Sequence, residues 1–418
     1  MKYLLLLVVN LVFQFSVFSQ DQELGKIDFP NSGNEESQQY FLTGVLFLHS
    51  FEYEDAAEAF ILAQESDPEF ALAYWGEAMT YNHPIWMQQD YVRGTSALSK
   101  LSEIPADRIA MDSLTLPIEK GLMQAVNILY GDGDKKTRDF AYMEYMKQLY
   151  EEFPWDNEIA SFYCLSILGT SHDGRDLAIY ERAAKVGEEV FERNPDHPGA
   201  LHYLIHSYDD PKSAHLGLEA ADRYAKVAPD ASHALHMPSH IYVAKGMWDQ
   251  VVSSNIASAE AAESRMKRKG LSLQARGYHA LWWLEYGYLQ QGRYNNALEV
   301  LEGMYEDQKK EPTSRTTHHL VMERGHYLIE TNDWNHDVAF WEINTSNYGL
   351  RMKATDLFVL GLRAASLKDI ATAEQHLIEL MITINEGISE GSERDLGVWI
   401  EDMSINTPKP NELAVLIM

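Results

Sequence analysis

One cysteine, Cys164, in 418 residues excludes an internal disulfide, so packing alone must hold this chain together. Basic residues are scarce: 34 Lys and Arg stand against 63 Asp and Glu, a formal charge of -29. A surface of that sign repels nucleic acid and anionic membranes, and both are excluded as partners. No Gly-x-Ser-x-Gly elbow, phosphate loop or dinucleotide fingerprint occurs, which removes the commonest nucleophile and nucleotide chemistries. Sustained strand alternation is missing too. Beyond the N-terminal segment, no apolar run approaches the ~20 residues that span a bilayer.

That N-terminal segment is the exception. Lys2 opens it, Tyr3 to Val17 is mostly apolar, no acid precedes Asp21, and Val17-Phe18-Ser19 suits a cleavage site. The layout predicts a signal peptide over 1–19, a linker over 20–36, and a periplasmic or secreted protein. No cysteine lies near the cleavage site, so a lipoprotein is not expected. What remains is rich in core material, with 45% hydrophobic residues, 23 Tyr and 9 Trp. A chain this long exceeds one ordinary core. An array of units that each pack only on their neighbours escapes that limit.

Two histidine pairs suggest both an array and a site. His202-Leu-Ile-His206 recurs as His236-Pro-Ser-His240, 34 residues on. Residues four apart share a helix face, and residues one repeat apart share a phase on neighbouring helices. From Ser37 the same period is written in residue types. Tyr40, Gly44, Phe47, Ala56, Phe60, Ala63 and Pro68 follow in order. Gly44 and Ala56 permit close helix approach, Phe60 fills the space between units, and Pro68 ends the second helix. Later units turn at Lys245-Gly246, Gln291-Gly292, Asn332-Asp333 and Lys368-Asp369. Between 71 and 197 the period is stretched by loop-like clusters at Gly131–Asp134 and Gly169–Gly174.

On these slots the chain resembles the tetratricopeptide-repeat family over roughly 37–390, with 391–418 as a capping segment. The resemblance implies an all-α superhelical solenoid of about nine antiparallel helix pairs. It further looks like exported bacterial members carrying the His236 to Tyr242 segment, His-Met-Pro-Ser-His-Ile-Tyr, and like proteins of marine bacterial loci for polysaccharide use, ulvan included. Family members bind extended peptides in a concave groove lined by the first helix of each pair. The groove phases here hold Trp75, His83, His202, His206, His233, His236, His240, Trp282, His319 and His326. Half of the 16 histidines fall on that one surface.

Three roles are open for them. As metal ligands, His202, His206, His236 and His240 have the spacing for a tetrahedral Zn²⁺ or square-planar Cu²⁺ site, and hence for a metal-dependent hydrolase. As a recognition surface, imidazoles and indoles offer donors, acceptors and stacking faces to a peptide, partner protein or saccharide. As structure, each bonds a neighbouring helix. Pro238, between His236 and His240, lacks an N–H; it either kinks a helix begun at Ser232 or opens one begun near His236. The groove lacks the Lys, Arg and Asn that grip a C-terminal carboxylate in the family, so a binding scaffold for another partner class is expected. Gly131–Asp134 reads as a turn rather than a calcium loop, and Cys164 as buried and inert.

Overall fold

A computed structural model describes residues 22–103 and 116–389 of the chain. The expected signal peptide and the 391–418 segment lie outside the described residues. The chain forms two compact units, Met1–Pro238 and Ser239–Met418. Both are built of helices joined pairwise by short turns, so the all-α expectation holds.

In the first unit the helices are α1 (Glu35–His49), α2 (Tyr53–Ser66), α3 (Ala71–Met79), α4 (Tyr91–Ser99), α5 (Pro117–Leu129), α6 (Lys135–Glu152), α7 (Asn157–Leu168), α8 (Leu177–Arg193), α9 (Pro198–Tyr208), α10 (Leu218–Val227) and α11 (Ser232–His236). Two two-residue strands, β1 (Asn82–His83) and β2 (Gln88–Gln89), pair around a short turn. Side chains set the starts. Asn34 accepts from the Glu36 and Ser37 amides, and Asp134, Asp156 and Asp176 cap α6, α7 and α8. Each cap satisfies amides that an isolated helix end leaves bare. The Gly131–Asp134 cluster is therefore a turn that caps a helix.

Phe60 occupies the slot foreseen for it. A Cβ on Gly44 would come within 2.8 Å of its ring, and one on Gly76 within 2.3 Å, so only glycine lets α1 and α3 close on the phenyl group. Phe41 and Phe70 complete the aromatic core at centroid distances of 5.7 and 5.1 Å along the chain Phe60–Phe41–Phe70. Within the segment expected as a linker, the described residues 22–36 pack on the first unit. Leu24 and Phe29 are buried, Lys26 N–H bonds the Asp196 carbonyl, and Glu23 N–H bonds the Asp230 carboxylate.

The second unit holds α12 (Pro238–Ala244), α13 (Trp248–Lys269), α14 (Tyr278–Gln290), α15 (Tyr294–Lys310), α16 (Ser314–Thr331), α17 (Leu350–Ser366) and α18 (Ile370–Ser389). The helix begun at Ser232 breaks at Met237 and Pro238 opens the next one, as a residue without an N–H must. Tyr278, Leu301, Leu320 and Leu328 centre the core of the unit. The turn expected at Asn332-Asp333 is present, with Asn332 at φ 51°. It leads into a single 3₁₀ turn, Asp337–Phe340, in place of a second helix. No described helix is long and apolar enough to cross a membrane.

Among the described residues, four tight hairpin turns share one backbone shape, which Gly270 repeats at the end of α13. Gly246, Gly292 and Lys368 have φ of 67°, 68° and 63°, and Phe51 has 55°. In each, the next residue's amide bonds the carbonyl five back: Glu52 to Phe47, Met247 to Tyr242, Arg293 to Tyr288, Asp369 to Ala364. This is the helix-ending motif in which the left-handed residue is normally glycine. At Phe51 a bulky side chain takes that conformation and its strain.

Candidate functional site

The strained Phe51 ring faces three imidazoles of the first unit. Its centroid lies 4.2 Å from His202, 5.9 Å from His206 and 5.8 Å from His233. His202 and His206 come from one face of α9 and His233 from α11. One ring nitrogen of each lies within 4.8 Å of the others. His202 Nε2 and His206 Nε2 are 3.1 Å apart. The other nitrogen of His202, Nδ1, lies 2.7 Å from the His49 carbonyl oxygen. A carbonyl only accepts, so Nδ1 carries the proton and Nε2 presents its lone pair to His206. Tyr224 stacks on His202 at 5.4 Å, and Trp86, 45% exposed, stands 6.5 Å from His233.

His49 also anchors a second, fully buried set. Its Nε2 lies 2.8 Å from Glu158 Oε2, and His197 Nε2 lies 2.9 Å from Glu158 Oε1. The Ala200 amide donates to His197 Nδ1, so Nε2 of His197 holds that ring's proton and donates to the carboxylate. Burial alone would raise the Glu158 carboxyl. The electrostatic attraction and hydrogen bonds of His197 and His49 outweigh it and bring the group down to about 2. With every polar atom occupied, this set ties α1, α7 and α9 together and has nothing left for a ligand. The close approach requires Gly199, whose Cβ would sit 2.4 Å from His49 Nδ1.

In the second unit a polar face runs along α14 and α16. Trp282 Nε1–H donates to His326 Nδ1 at 2.9 Å, and the two rings stack at 5.5 Å. His319 stands 5.8 Å from Tyr278 and 6.4 Å from Trp282. Burial lowers His319 to about 3 and His326 to about 4, so both are neutral. One turn from these half-buried rings lie Glu285 and Glu323, each 0% exposed. None of their four carboxyl oxygens meets a hydrogen-bond donor. Burial first, then the charge of Glu323 and Glu330, holds Glu285 well above the usual carboxylate range. Burial likewise holds Glu323 up, against Arg276 and with Asp307.

Of the ten residues expected on one surface, six lie in the first unit and four in the second. His202 and His206 meet, joined by His233. His236 lies beside His233 at 6.1 Å, itself 2% exposed. His240 belongs to the second unit, where its ring sits 4.4 Å from Trp283. His83 stacks on Tyr53 at 4.0 Å. Trp282, His319 and His326 come together. Trp75 does not line a groove: it is 0% exposed, between Phe29, Phe41 and Phe162, because every residue of the short α3 is enclosed. Cys164 is buried, its thiol pushed up to about 12 by burial.

Periodicity alone did not reveal Phe51, Glu158, Glu285 or Glu323. The available signal was an acid within an apolar helix, as in Leu284-Glu285-Tyr286 and Met322-Glu323-Arg324, since an acid there is either paired or functional.

No family model matches the chain, and no curated protein does. Among solved structures it is similar to the Cut9–Hcn1 hetero-tetramer of the APC/C, at 14% identity and TM-score 0.35, over 100% of this chain and 81% of that one. It is also similar to yeast Tom70, at 11% identity and TM-score 0.32, over 87% and 90%. The P58(IPK) TPR domain is similar at 11% identity and TM-score 0.22, over 84% and 99%. Likenesses this slight carry no argument about what the chain does.

Proposed function

We propose that this chain is an exported helical-repeat binding protein whose second unit takes a basic segment of a partner protein or peptide. The observation that carries it is the Glu285–Glu323 pair: four buried carboxyl oxygens without a donor, one helical turn along from Trp282 and His326. A buried polar group left unbonded is destabilising by about 1–3 kcal/mol, and more when ionised. A Lys ammonium or Arg guanidinium supplies N–H donors, and its positive charge favours the ionised form that burial otherwise disfavours. The half-buried indole of Trp282 adds a face on which a cation is attracted. The overall charge of -29 steers such a partner inward.

Export rests on the Lys2 to Ser19 layout. A part in polysaccharide use rests on the resemblance of the His236 to Tyr242 segment. A direct grip on an anionic polysaccharide is disfavoured, because a sulfate or uronate offers acceptors to a pair that itself needs donors. The test is titration with tetralysine peptide by calorimetry. Glu285→Gln and Glu323→Gln should each weaken binding tenfold or more, relative to Glu192→Gln, the same substitution at an exposed site in the first unit. Equal weakening by all three, or no binding to the unaltered protein, overturns the proposal.

A further inference from the structure

We infer that His202, His206 and His233 of the first unit form a binding site for one divalent first-row metal ion of the zinc class. The site is separate from the basic-segment site of the second unit. Three observations converge on it. The first is spacing. Two nitrogens on one tetrahedral zinc, with Zn–N near 2.0–2.1 Å, stand about 3.3 Å apart; His202 Nε2 and His206 Nε2 stand 3.1 Å apart. The His233 nitrogen, within 4.8 Å of both, closes the set by a small ring movement.

The second is orientation. His202 Nδ1–H is held by the His49 carbonyl, the arrangement by which a backbone oxygen fixes the tautomer and aim of a ligating imidazole. His49 is itself fixed by Glu158 and by Tyr203, whose hydroxyl lies 2.9 Å from its Nδ1. The chain of support therefore runs from α7 through α1 to α9. On the far side of the cluster, the Glu52 carboxylate accepts from Ser232 Oγ and from the His233 amide, which sets the first turn of α11.

The third is strain at Phe51. Three equivalent turns use Gly246, Gly292 or Lys368, whose side chains are absent or reach solvent. Here the left-handed position carries a phenyl ring that touches all three imidazoles. A strained residue persists only where its surroundings require it, and such residues gather at functional sites. Phe51 and Trp86 give the cluster an apolar wall on one side. Three protein ligands leave a fourth position for water or a small ligand, as in catalytic rather than structural zinc sites. The His49–Glu158–His197 set spends its nitrogens and oxygens within itself and on Tyr203 and the Ala200 amide.

The test uses the full chain, freed of metal by chelator and titrated with Zn²⁺ alone against a competing chelator dye. The unaltered protein should take one tight equivalent. His206→Ala and His233→Ala should each weaken it a hundredfold or more, while His215→Ala, an exposed control, should not. His206→Asn serves where the alanine variant fails to fold, as judged by circular dichroism. Tight binding that survives both His206 and His233 substitutions, or no tight equivalent in the unaltered protein, overturns the assignment. Neither result touches the tetralysine experiment, which reads Glu285 and Glu323.

Discussion

The Glu285–Glu323 pair makes the stability of the second unit depend on pH with a definite sign. In the unfolded chain each carboxyl titrates in the ordinary range near 4.3. In the folded chain both are held well above it. A folded protein therefore keeps protons that its unfolded form has released, and stability falls as pH rises from the unfolded value through the folded one. Each retained proton gives a slope of about 1.4 kcal/mol per pH unit. Arg276 opposes the effect and Asp307 and Glu330 reinforce it, and mutual repulsion makes the two protons leave in separate steps. Glu323→Gln removes one ionisation while preserving shape. The amide adds its own unbonded atoms, a pH-independent offset of about 1–3 kcal/mol, so the slope is the informative quantity. The assay is hydrogen exchange of α14 and α16, corrected for intrinsic exchange, across neutral pH. The unaltered protein should lose protection as pH rises, and Glu323→Gln should lose it less steeply. Equal slopes in the two proteins would refute the reasoning.

Two glycines should respond in opposite directions to alanine. Gly76→Ala sets a Cβ 2.3 Å from the Phe60 ring, and overpacking of about 1–3 kcal/mol should outweigh the helix gain, lowering the thermal midpoint. Gly303→Ala, inside α15 with open space around it, should raise stability by up to about 1 kcal/mol in denaturant unfolding. Cys164, buried with its thiol pushed up to about 12, should react with a thiol reagent only as fast as the first unit opens; prompt labelling of the native protein would contradict that placement.

Much of the architecture was legible because the repeat writes packing into residue types. Gly44, Phe60 and Pro68 act as expected, and Gly246, Gly292 and Lys368 sit in the foreseen turns. What was not legible depended on tertiary neighbours. Trp75 holds a groove phase on paper, but α3 has no free side. A 3₁₀ turn follows α16 because Trp334 to Gly349 is broken by Asn, Asp, Thr and Ser, whose side chains compete for the backbone. The site was half visible. The 34-residue spacing pointed to His202 and His206, whereas His233, which joins them, was expected only as a residue of the groove.

The shared turn has a consequence for engineering. Because four hairpins bend through the same left-handed residue, that position is an address that recurs along the chain and can be changed without altering helix phase. Glycine leaves the address blank, and Lys368 shows that a long side chain is tolerated there. Phe51 shows that it can deliver an aromatic ring onto the neighbouring helices. New side chains written at Gly246 or Gly292 would therefore be a direct route to placing chemistry on other hairpins of the same scaffold.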